Sequence, residues 1–300
     1  MKKINKKNKI LIIVDGTNYL YRAYFAFKNL KNKNGEPIGA IYGTLMMLKK
    51  IFNKYMPKKI IVVFDHKKKN FRNKIYKKYK SNRPKIPTKL KIQIKTLVKI
   101  INYIGIPILK IPGFEADDII GTLVNNQKKK KIIILTNDKD MMQLINKNVK
   151  ILNHHEQIIG EKEVIKKFKI TPKLIKYFLA IVGDRSDNIP GIPGIGIKTA
   201  QKILKKFESL KEIYKNLEKL SLLNIRNSKK LSEIFIKNKK IAFISQHLAT
   251  IQTKIQLPIL KKSLKLKKSN KKKIFQYFQK NNFKALKTSF KKSLWFNHLK

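Results

Sequence analysis

Carboxylates are crowded into a few short stretches of this sequence. All eight aspartates lie in five clusters, and one glutamate joins them. The members are Asp15, Asp65, Glu115, Asp117, Asp118, Asp138, Asp140, Asp184 and Asp187. Like charges repel at short range, so carboxylates that meet in a fold must either take up protons or be neutralised by cations. Such oxygen ligands are typical of sites for hard divalent ions, Mg²⁺ or Mn²⁺ rather than Zn²⁺.

Each cluster taken alone has a simpler interpretation. Acids in the first turn of a helix stabilise it by about 0.3–1 kcal/mol each, which would account for one member of FEADD at 114–118 but not for three. Acids after a strand are compatible with a cap or a polar turn. These interpretations do not explain why every aspartate of the chain belongs to a cluster. The adjacent His154 and His155 are predicted to lie in a surface loop rather than to bind a metal.

Three short β-branched runs, each closed by aspartate, predict buried strands. They are KILIIVDG at 9–16, KKIIVVFD at 58–65 and KKIIILTNDKD at 130–140. Helical patterns alternate with them, at 39–55, 87–105 and 115–127, which predicts an α/β fold with a mainly parallel central sheet flanked by helices. Ligands bind beyond the carboxyl ends of such strands, so the aspartates would converge on one edge if the three strands are neighbours.

From about residue 160 the pattern becomes mainly helical. Helical segments are predicted at 161–170, 171–184 and 198–214, with a soft domain boundary near 170–185. Residues 246–258 are compatible with short strands. Beyond about residue 260 the sequence carries no recognisable functional motif.

A glycine- and proline-rich stretch, GDRSDNIPGIPGIGIKTAQKIL at 183–204, is the second strong signal. Three glycines stand just before a helix with basic and hydroxyl residues in its first turns; the set is Gly191, Gly194, Gly196, Lys198, Thr199 and Lys202. Backbone amides at the positive end of a helix form an anion site. A nucleotide P-loop is rejected because Ile197 stands where that motif requires lysine. A helix–hairpin–helix that holds a DNA backbone fits better than a plain loop.

Composition points to a polyanionic partner. The net charge is +54, although 66 of the 71 basic residues are lysines and part of this excess is compatible with drift in an AT-rich genome. The chain has no cysteine, which excludes disulfides and thiolate metal sites. No apolar run is long enough to cross a bilayer, and we expect a cytoplasmic protein.

Five blocks resemble one known family. They are IIVDGTNYLYRAYFAF (12–27), VVFDHKKKNFRNKIYKKYKSNRP (62–84), GFEADDIIGTL (113–123), LTNDKDMMQL (135–144) and VGDRSDNIPGIPGIGIKTA (182–200). In this order and spacing they are similar to the 5′→3′ exonuclease domain of bacterial DNA polymerase I, within the wider 5′-nuclease or flap-endonuclease group. The similarity runs from about residue 9 to about 290. It departs at Asn137, where many relatives have glycine, at Arg185, and in length, because no polymerase domain follows.

The resemblance implies a catalytic domain at 1–175 with a helical arch near 67–95, and a helix–hairpin–helix subdomain with C-terminal helices at 176–290. It also implies two Mg²⁺ or Mn²⁺ ions. Asp15, Asp65, Glu115, Asp117 and Asp118 would surround the first, and Asp138, Asp140, Asp184 and Asp187 the second. A monovalent cation at the hairpin is a further expectation. No carboxylate of the pattern is missing, so an inactivated relative is not expected.

The segment KKKNFRNKIYKKYKSNRPKIP at 67–87 mixes aromatic and basic side chains, which is typical of contacts with single-stranded nucleic acid. In the family the matching segment passes over the active site. The resemblance makes Arg22, Arg72, Tyr79, Lys80 and Arg83 candidates for substrate contact, with Arg22, Arg72 and Lys80 as candidate catalytic residues. For any one of them, a packed aromatic or a solvated cation is an equally good interpretation.

The expected function is therefore a structure-specific 5′→3′ exonuclease and flap endonuclease, acting on nicked, gapped or 5′-flap DNA and on RNA primers. We expect it to act as a monomer in primer removal and repair, beside a separately encoded polymerase. A nucleic-acid-binding module without catalysis is the alternative, which the intact carboxylate set disfavours. An aspartyl-phosphate enzyme would require aspartate at position 17, where Thr17 stands.

Overall fold

The computed structural model describes residues 10–57, 59–225, 228–257, 264 and 266–292. Its first half contains a six-stranded sheet in the order β3-β2-β1-β4-β5-β6. The strands are β1 (Leu11–Asp15), β2 (Lys59–Val63), β3 (Ile108–Leu109), β4 (Ile132–Leu135), β5 (Val149–Leu152) and β6 (Ile158–Ile159). All pairs are parallel except β5 with β6, so the predicted mainly parallel sheet is confirmed. Lys9 and Lys58, where two predicted strands begin, lie outside the described residues.

Helices cover both faces of the sheet and form the part of the chain that follows it. They are α1 (Gly16–Ala26), α2 (Gly39–Tyr55), α3 (Phe71–Ile75), α4 (Thr88–Ile104), α5 (Ala116–Asn125), α6 (Glu161–Phe168), α7 (Ile175–Val182), α8 (Ile197–Lys206), α9 (Leu210–Lys215), α10 (Leu231–Lys237), α11 (Lys239–Ala249), α12 (Lys271–Lys280) and α13 (Lys284–Lys291). None of the helices in the described ranges is long and apolar enough to cross a membrane.

The two faces of the sheet build two separate cores, because side chains alternate along each strand. Ile13 of β1 packs with residues of α5 and α7, whereas Ile12 and Val14 pack with residues of α2 and α4. Strands that are buried on both faces explain why the sequence shows continuous apolar runs rather than alternation.

The strand order brings the predicted acidic positions to one edge. The strand β1 lies between β2 and β4, with Asp15 in register with Val63 and Val14 in register with Leu135. Asp65 and Asp138 therefore follow the ends of the two strands that flank Asp15. The condition for convergence, that the three strands are neighbours, is met.

The hairpin between α7 and α8 depends on glycines in the left-handed region. Gly183, Gly191 and Gly194 have φ values of 81°, 69° and 84°. A Cβ on Gly191 would lie 2.4 Å from the backbone nitrogen of Gly183, so the two ends of the hairpin cross in direct backbone contact. Only glycine fits at this crossing.

Three details differ from the sequence expectation. The predicted helical arch at 67–95 contains only the five-residue helix α3 and the start of α4, joined by turns and irregular chain. The predicted helix at 198–214 is two helices, because Ser209 accepts a hydrogen bond from the backbone nitrogen of Glu212 and starts α9. Short strands at 246–258 are wrong: α11 continues to Ala249, and residues 251–257 are irregular. Pro258 lies outside the described residues.

The C-terminal helices pack back against α4. Backbone hydrogen bonds join Lys267 to Gly105 (2.9 Å) and Asn270 to Tyr103 (2.7 Å), and Phe278 and Phe290 are buried in the core shared with α4. Part of the predicted domain at 176–290 thus completes the packing of the first domain.

Candidate metal centre and nucleic-acid interface

Asp15 lies at the centre of the acidic edge, 4% exposed. It ends β1 and caps α1, with Oδ1 accepting a hydrogen bond from the backbone nitrogen of Asn18 (3.0 Å). Its Oδ2 accepts a second one from the hydroxyl of Thr136 (2.8 Å). Burial raises the pKa of Asp15 to about 7, because these hydrogen bonds offset only part of the lost hydration. A carboxylate in this state gains from a neighbouring cation.

Thr136, which follows β4, connects Asp15 to that strand, and its role was not predicted from the sequence. Its hydroxyl oxygen also accepts a hydrogen bond from the backbone nitrogen of Asp138 (3.1 Å). Asp138 in turn accepts one from the backbone nitrogen of Asp140 (2.9 Å). Burial, with the nearby charge of Asp187, raises the pKa of Asp138. The only sequence signal for Thr136 is its position between β4 and the acidic pair.

Asp140, Asp184 and Asp187 form a second group. One carboxylate oxygen of each lies within 4.8 Å of the others, and all three side chains are buried. Oδ1 of Asp140 is buried and has no hydrogen-bond partner among the residues that the structure describes. Burial, together with neighbouring aspartates, raises the pKa of Asp140 well above its ordinary value. An orphaned buried oxygen beside two further carboxylates fits a divalent cation, because such atoms are otherwise costly to bury.

The FEADD stretch divides its acids between two roles. Glu115 is the cap residue immediately before α5, and Asp117 in the first turn is half-buried and accepts no hydrogen bond within the described ranges. Burial, with charges that include those of Asp138 and Asp15, raises the pKa of Asp117 well above its usual range. Asp117 therefore faces the shared acidic edge, where the nearby charge of Lys80 offsets part of this rise.

Asp118 has the opposite environment. It is fully buried, and its two oxygens accept hydrogen bonds from Nη1 (2.7 Å) and Nη2 (2.8 Å) of Arg72. Its Oδ1 also accepts from the backbone nitrogen of Gln252 (2.9 Å). Asp118 was predicted to surround the first ion, but here its lone pairs are directed at the protein interior.

Asp65 is the most exposed of the predicted ligands. Its Oδ1 accepts a hydrogen bond from the backbone nitrogen of Ala116 (2.7 Å), and its own backbone nitrogen donates to the hydroxyl of Thr17 (2.9 Å). The first contact ties the end of β2 to the start of α5. It places Asp65 at the solvent side of the acidic edge.

A segment of three basic or aromatic residues covers the acids. Lys80 Nζ lies 2.5 Å from Oε1 of Glu115 and 3.4 Å from Oδ2 of Asp187, and Arg83 pairs with the other oxygen of Asp187. The hydroxyl of Tyr79 donates to Glu115 (3.0 Å). Burial alone would raise the pKa of Asp187, but Lys80 and Arg83 lower it. Lys80 is thus the cation that joins the two acidic groups.

Two residues that were predicted to contact the substrate, Arg72 and Tyr79, are buried. Arg72 is 2% exposed and donates all its hydrogen bonds to protein atoms, including Glu115 Oε2 (3.0 Å) and the carbonyl of Leu248 (2.8 Å). Tyr79 is also buried, at 4%, so its ring is not available for stacking on a base. Arg22 is exposed on α1, two turns beyond Asp15 on the same side of the helix.

Lys139 is a further cation at the acidic edge that was not predicted from the sequence. Nζ of Lys139, between the two aspartates of the NDKD stretch, lies 2.8 Å from Oδ1 of Asp184. Ser186 adds hydrogen bonds to the same carboxylate from its backbone nitrogen (3.0 Å) and hydroxyl (2.9 Å). In so lysine-rich a chain, one more lysine carries no signal of its own.

The hairpin presents an uncapped helix start to solvent. In the described part of the chain no side chain caps α8, and no acid lies in its first turn. Lys198 is exposed there, Thr199 is half-buried, and a Cβ at Gly194 or Gly196 would meet open space. Lys202 is exposed and donates to the carbonyl of Asn224 (2.6 Å).

Two family models match this chain in sequence. The 5′–3′ exonuclease N-terminal resolvase-like domain matches residues 10–169, and the 5′–3′ exonuclease C-terminal SAM fold matches residues 170–272. Together they span both the acidic edge and the hairpin. The two matches meet between residues 169 and 170.

Curated relatives and solved structures with similar sequence or fold include known nucleases. A 5′–3′ exonuclease of Buchnera aphidicola subsp. Baizongia pistaciae is 46% identical over 300 residues, covering 99% of each chain. DNA polymerase I of Pseudomonas aeruginosa is 40% identical over 83% of this chain, which spans 28% of that longer protein. The fold matches bacteriophage T5 D15 protein, co-crystallised with metal ions, at a TM-score of 0.67 and 21% identity, covering 81% of this chain and 90% of that one. The resemblance of the five sequence blocks is confirmed. The chain belongs to the 5′–3′ exonuclease family and is an enzyme, a 5′→3′ nuclease.

Proposed function

We propose that this nuclease hydrolyses phosphodiester bonds with two divalent ions held at the acidic edge of the sheet. The observation that carries the proposal is the buried group of Asp140, Asp184 and Asp187, in which Oδ1 of Asp140 has no hydrogen-bond partner among the described residues. The chemistry of the donor set, carboxylate oxygen alone, favours Mg²⁺ or Mn²⁺. When bound, a pair of such ions lowers the pKa of a coordinated water and neutralises charge on the phosphate oxygens.

The residues are assigned to two groups. We assign Asp15, Asp65, Glu115 and Asp117 to the first ion, and Asp138, Asp140, Asp184 and Asp187 to the second. Asp118 is assigned a supporting role, because its oxygens are occupied by Arg72. The raised pKa values of Asp15, Asp117 and Asp140 support this assignment, since carboxylates that burial makes hard to ionise gain most from a cation.

Lys80 is the residue best placed to act on the substrate. Its ammonium lies between the two acidic groups, where the phosphate must approach, and it is half-buried. We infer that Lys80 stabilises negative charge on the phosphate, and that Arg83 and exposed Arg22 hold the phosphates on either side. Arg72 positions Glu115 from behind rather than touching the substrate.

DNA is the proposed partner. Solved structures of similar fold include bacteriophage T5 flap endonuclease with DNA and metal ions, and the catalytic core of Rad2 with DNA substrate. In this chain the open start of α8, with Lys198, Thr199 and Lys202, would hold a duplex backbone through amides and ammonium groups, without reading sequence. Gly194 and Gly196 leave room for a phosphate or a monovalent cation there.

The finer proposals concern the biological setting. We propose that the enzyme acts as a monomer in the cytoplasm on 5′ flaps, nicks, gaps and RNA primers, beside a separately encoded polymerase. Residues 1–175 would supply catalysis and residues 176–290 the grip on the duplex.

A labelled 5′-flap duplex tests the proposal. Incubation with protein and Mg²⁺ is expected to release a product cut near the junction, and EDTA is expected to stop the reaction. Asp138→Asn is expected to lose at least about 10²-fold in rate, whereas Glu208→Gln, the same change at an exposed ion pair, keeps it. Tight binding without cleavage in Mg²⁺ or Mn²⁺ would contradict the proposal and favour a binding module.

A further inference from the structure

Gln143 lies beside the second acidic group and uses both ends of its amide. Its Nε2 donates to the carbonyl of Asp140 (2.9 Å) and to the carbonyl of Ala249 (3.0 Å). Its Oε1 accepts from the backbone nitrogen of Ile251 (3.0 Å). One side chain thus joins the turn that carries Asp140 to a segment 106 residues away in sequence.

The same segment is held from the other side by the first acidic group. We name residues 248–252 the bridging segment. Arg72 donates to its carbonyls at Leu248 (2.8 Å) and Thr250 (2.9 Å), and the backbone nitrogen of Gln252 donates to Asp118 (2.9 Å). Arg72 also contacts Glu115, a proposed ligand of the first ion.

Packing leaves the bridging segment little freedom. A Cβ added to Gly121 of α5 would lie 2.5 Å from Cγ2 of Ile251, so the glycine permits close approach of helix and segment. Ile251 is buried. The bridging segment is thereby fixed in distance from α5 as well as from the turn at Asp140.

One helix extends these ties to the hairpin. The bridging segment begins in the last turn of α11. Ser245 of α11 is fully buried, and its hydroxyl oxygen accepts a hydrogen bond from the backbone nitrogen of Gly191 (3.1 Å). Gly191 is the glycine at the hairpin crossing. The helix and the segment therefore contact the hairpin and both acidic groups.

We propose that the bridging segment sets the separation of the two metal-binding groups, with Gln143 as the positioning residue for the second. This inference rests on the proposed two-ion function. Divalent ions require their ligands at fixed distances, and partners of the ligands that orient them commonly change metal affinity by about 10- to 100-fold when removed. No residue of the bridging segment is acidic, so its role lies in distance rather than charge.

The test compares two glutamines that differ in what they join. Gln143→Met keeps a similar side-chain volume but removes the three hydrogen bonds. Gln201→Met is the matched control, because Gln201 also donates from Nε2 to a carbonyl, that of Phe168 (2.9 Å), in the helical part of the chain. Mn²⁺ binding is measured by calorimetry without DNA, and urea unfolding is measured in EDTA.

Gln143→Met is expected to weaken binding of one Mn²⁺ by at least about 10-fold, while Gln201→Met changes it by less than about 2-fold. Gln143→Met removes three hydrogen bonds and Gln201→Met removes one, so the larger loss of stability in EDTA is expected for Gln143→Met. If Gln143→Met does not fold, Gln143→Asn, too short to reach both carbonyls, is held to the same expectation. Unchanged Mn²⁺ affinity in the Gln143 variant would overturn the inference and leave the proposed function intact. Absence of Mn²⁺ binding by the unaltered protein would instead contradict the proposed function, and the inference with it.

Discussion

Arg72 and Asp118 form a buried bidentate ion pair behind the acidic edge. The two nitrogen–oxygen distances are 2.7 and 2.8 Å, and the residues are 2% and 0% exposed. Burial alone would lower the pKa of Arg72, but the hydrogen bonds and charge of Asp118 raise it above its ordinary value. Arg72 also donates a hydrogen bond to Glu115, so the pair supports this proposed ligand from behind without belonging to the set that faces solvent.

Breaking this pair should cost the protein much of its stability. Arg72→Met leaves a buried carboxylate without its partner, which typically costs about 3–5 kcal/mol. The control is Lys173→Met, because Lys173 and Glu208 form an exposed pair at 2.8 Å and such pairs contribute less than about 1 kcal/mol. Urea unfolding in EDTA measures both. A loss below about 1 kcal/mol for Arg72→Met would contradict the structural role.

The acidic edge should make the metal-free protein less stable as the pH rises. The pKa of Asp15 is about 7 in the folded protein against 3.8 in an unfolded chain, and the pKa values of Asp117, Asp138 and Asp140 are raised too. Between these limits the folded protein holds protons that the unfolded chain has released, so raising the pH favours unfolding. Asp187, whose pKa is lowered, acts in the opposite sense but only below pH 3.8.

The measurement is urea unfolding in EDTA between pH 4 and 7. Asp15→Asn removes one of the titrating groups. The fall in unfolding free energy between pH 4 and 7 should therefore be smaller in this variant, by an amount on the order of a few kcal/mol. Mg²⁺ should restore stability most at the upper end, because it binds the deprotonated carboxylates. Identical pH profiles for the variant and the unaltered protein would show that Asp15 does not titrate in this window.

Lys80 should matter for catalysis and not for holding metal. Removing its ammonium in Lys80→Ala should lower the single-turnover rate of flap cleavage by about 10²-fold, the usual cost of one charge-stabilising donor. Mn²⁺ affinity should stay the same or increase, because the lysine repels a cation near Glu115 and Asp187. Lys78→Ala, at an exposed lysine two residues away, is the control. A parallel loss of rate and metal affinity would reassign Lys80 to the folding of the site.

Lys198 should contribute to binding of the duplex through its charge. Lys198→Ala should weaken binding by a similar factor for all DNA sequences. It should also reduce the magnitude of the slope of log K against log salt concentration by about one, the contribution of one phosphate contact. Lys211→Ala, an exposed lysine of α9, should leave the slope unchanged. Sequence-dependent effects, or equal slopes for the two variants, would contradict the backbone grip assigned to the hairpin.

The architecture was predictable where the chain is locally regular. Apolar runs closed by Asp15 and Asp65 predicted the strands, and their convergence followed from adjacent parallel strands. The split between Asp117 and Asp118 was not predictable. Neighbouring residues on a helix point about 100° apart, and which one faces the acidic edge depends on where Arg72 and the bridging segment pack.

Long-range polar contacts could not be predicted from the sequence either, because they depend on how distant segments pack. Thr136 and Gln143 are ordinary polar residues in sequence, and their roles arise from partners 121 and 106 positions away. Tyr79 lies in a segment that predicted base stacking, but its ring is buried and its hydroxyl donates a hydrogen bond to Glu115. The amphipathic pattern of α12 and α13 gives an apolar stripe without naming its partner, so their return to α4 required the structure.

The count of bound ions tests the central claim most directly. Equilibrium dialysis against Mn²⁺, followed by metal analysis, should find two ions per unaltered chain at saturation and one in Asp140→Asn, which removes the charge on the unpartnered oxygen. Glu208→Gln should retain both. One ion or none in the unaltered protein, or two in Asp140→Asn, would contradict an edge built to hold a pair.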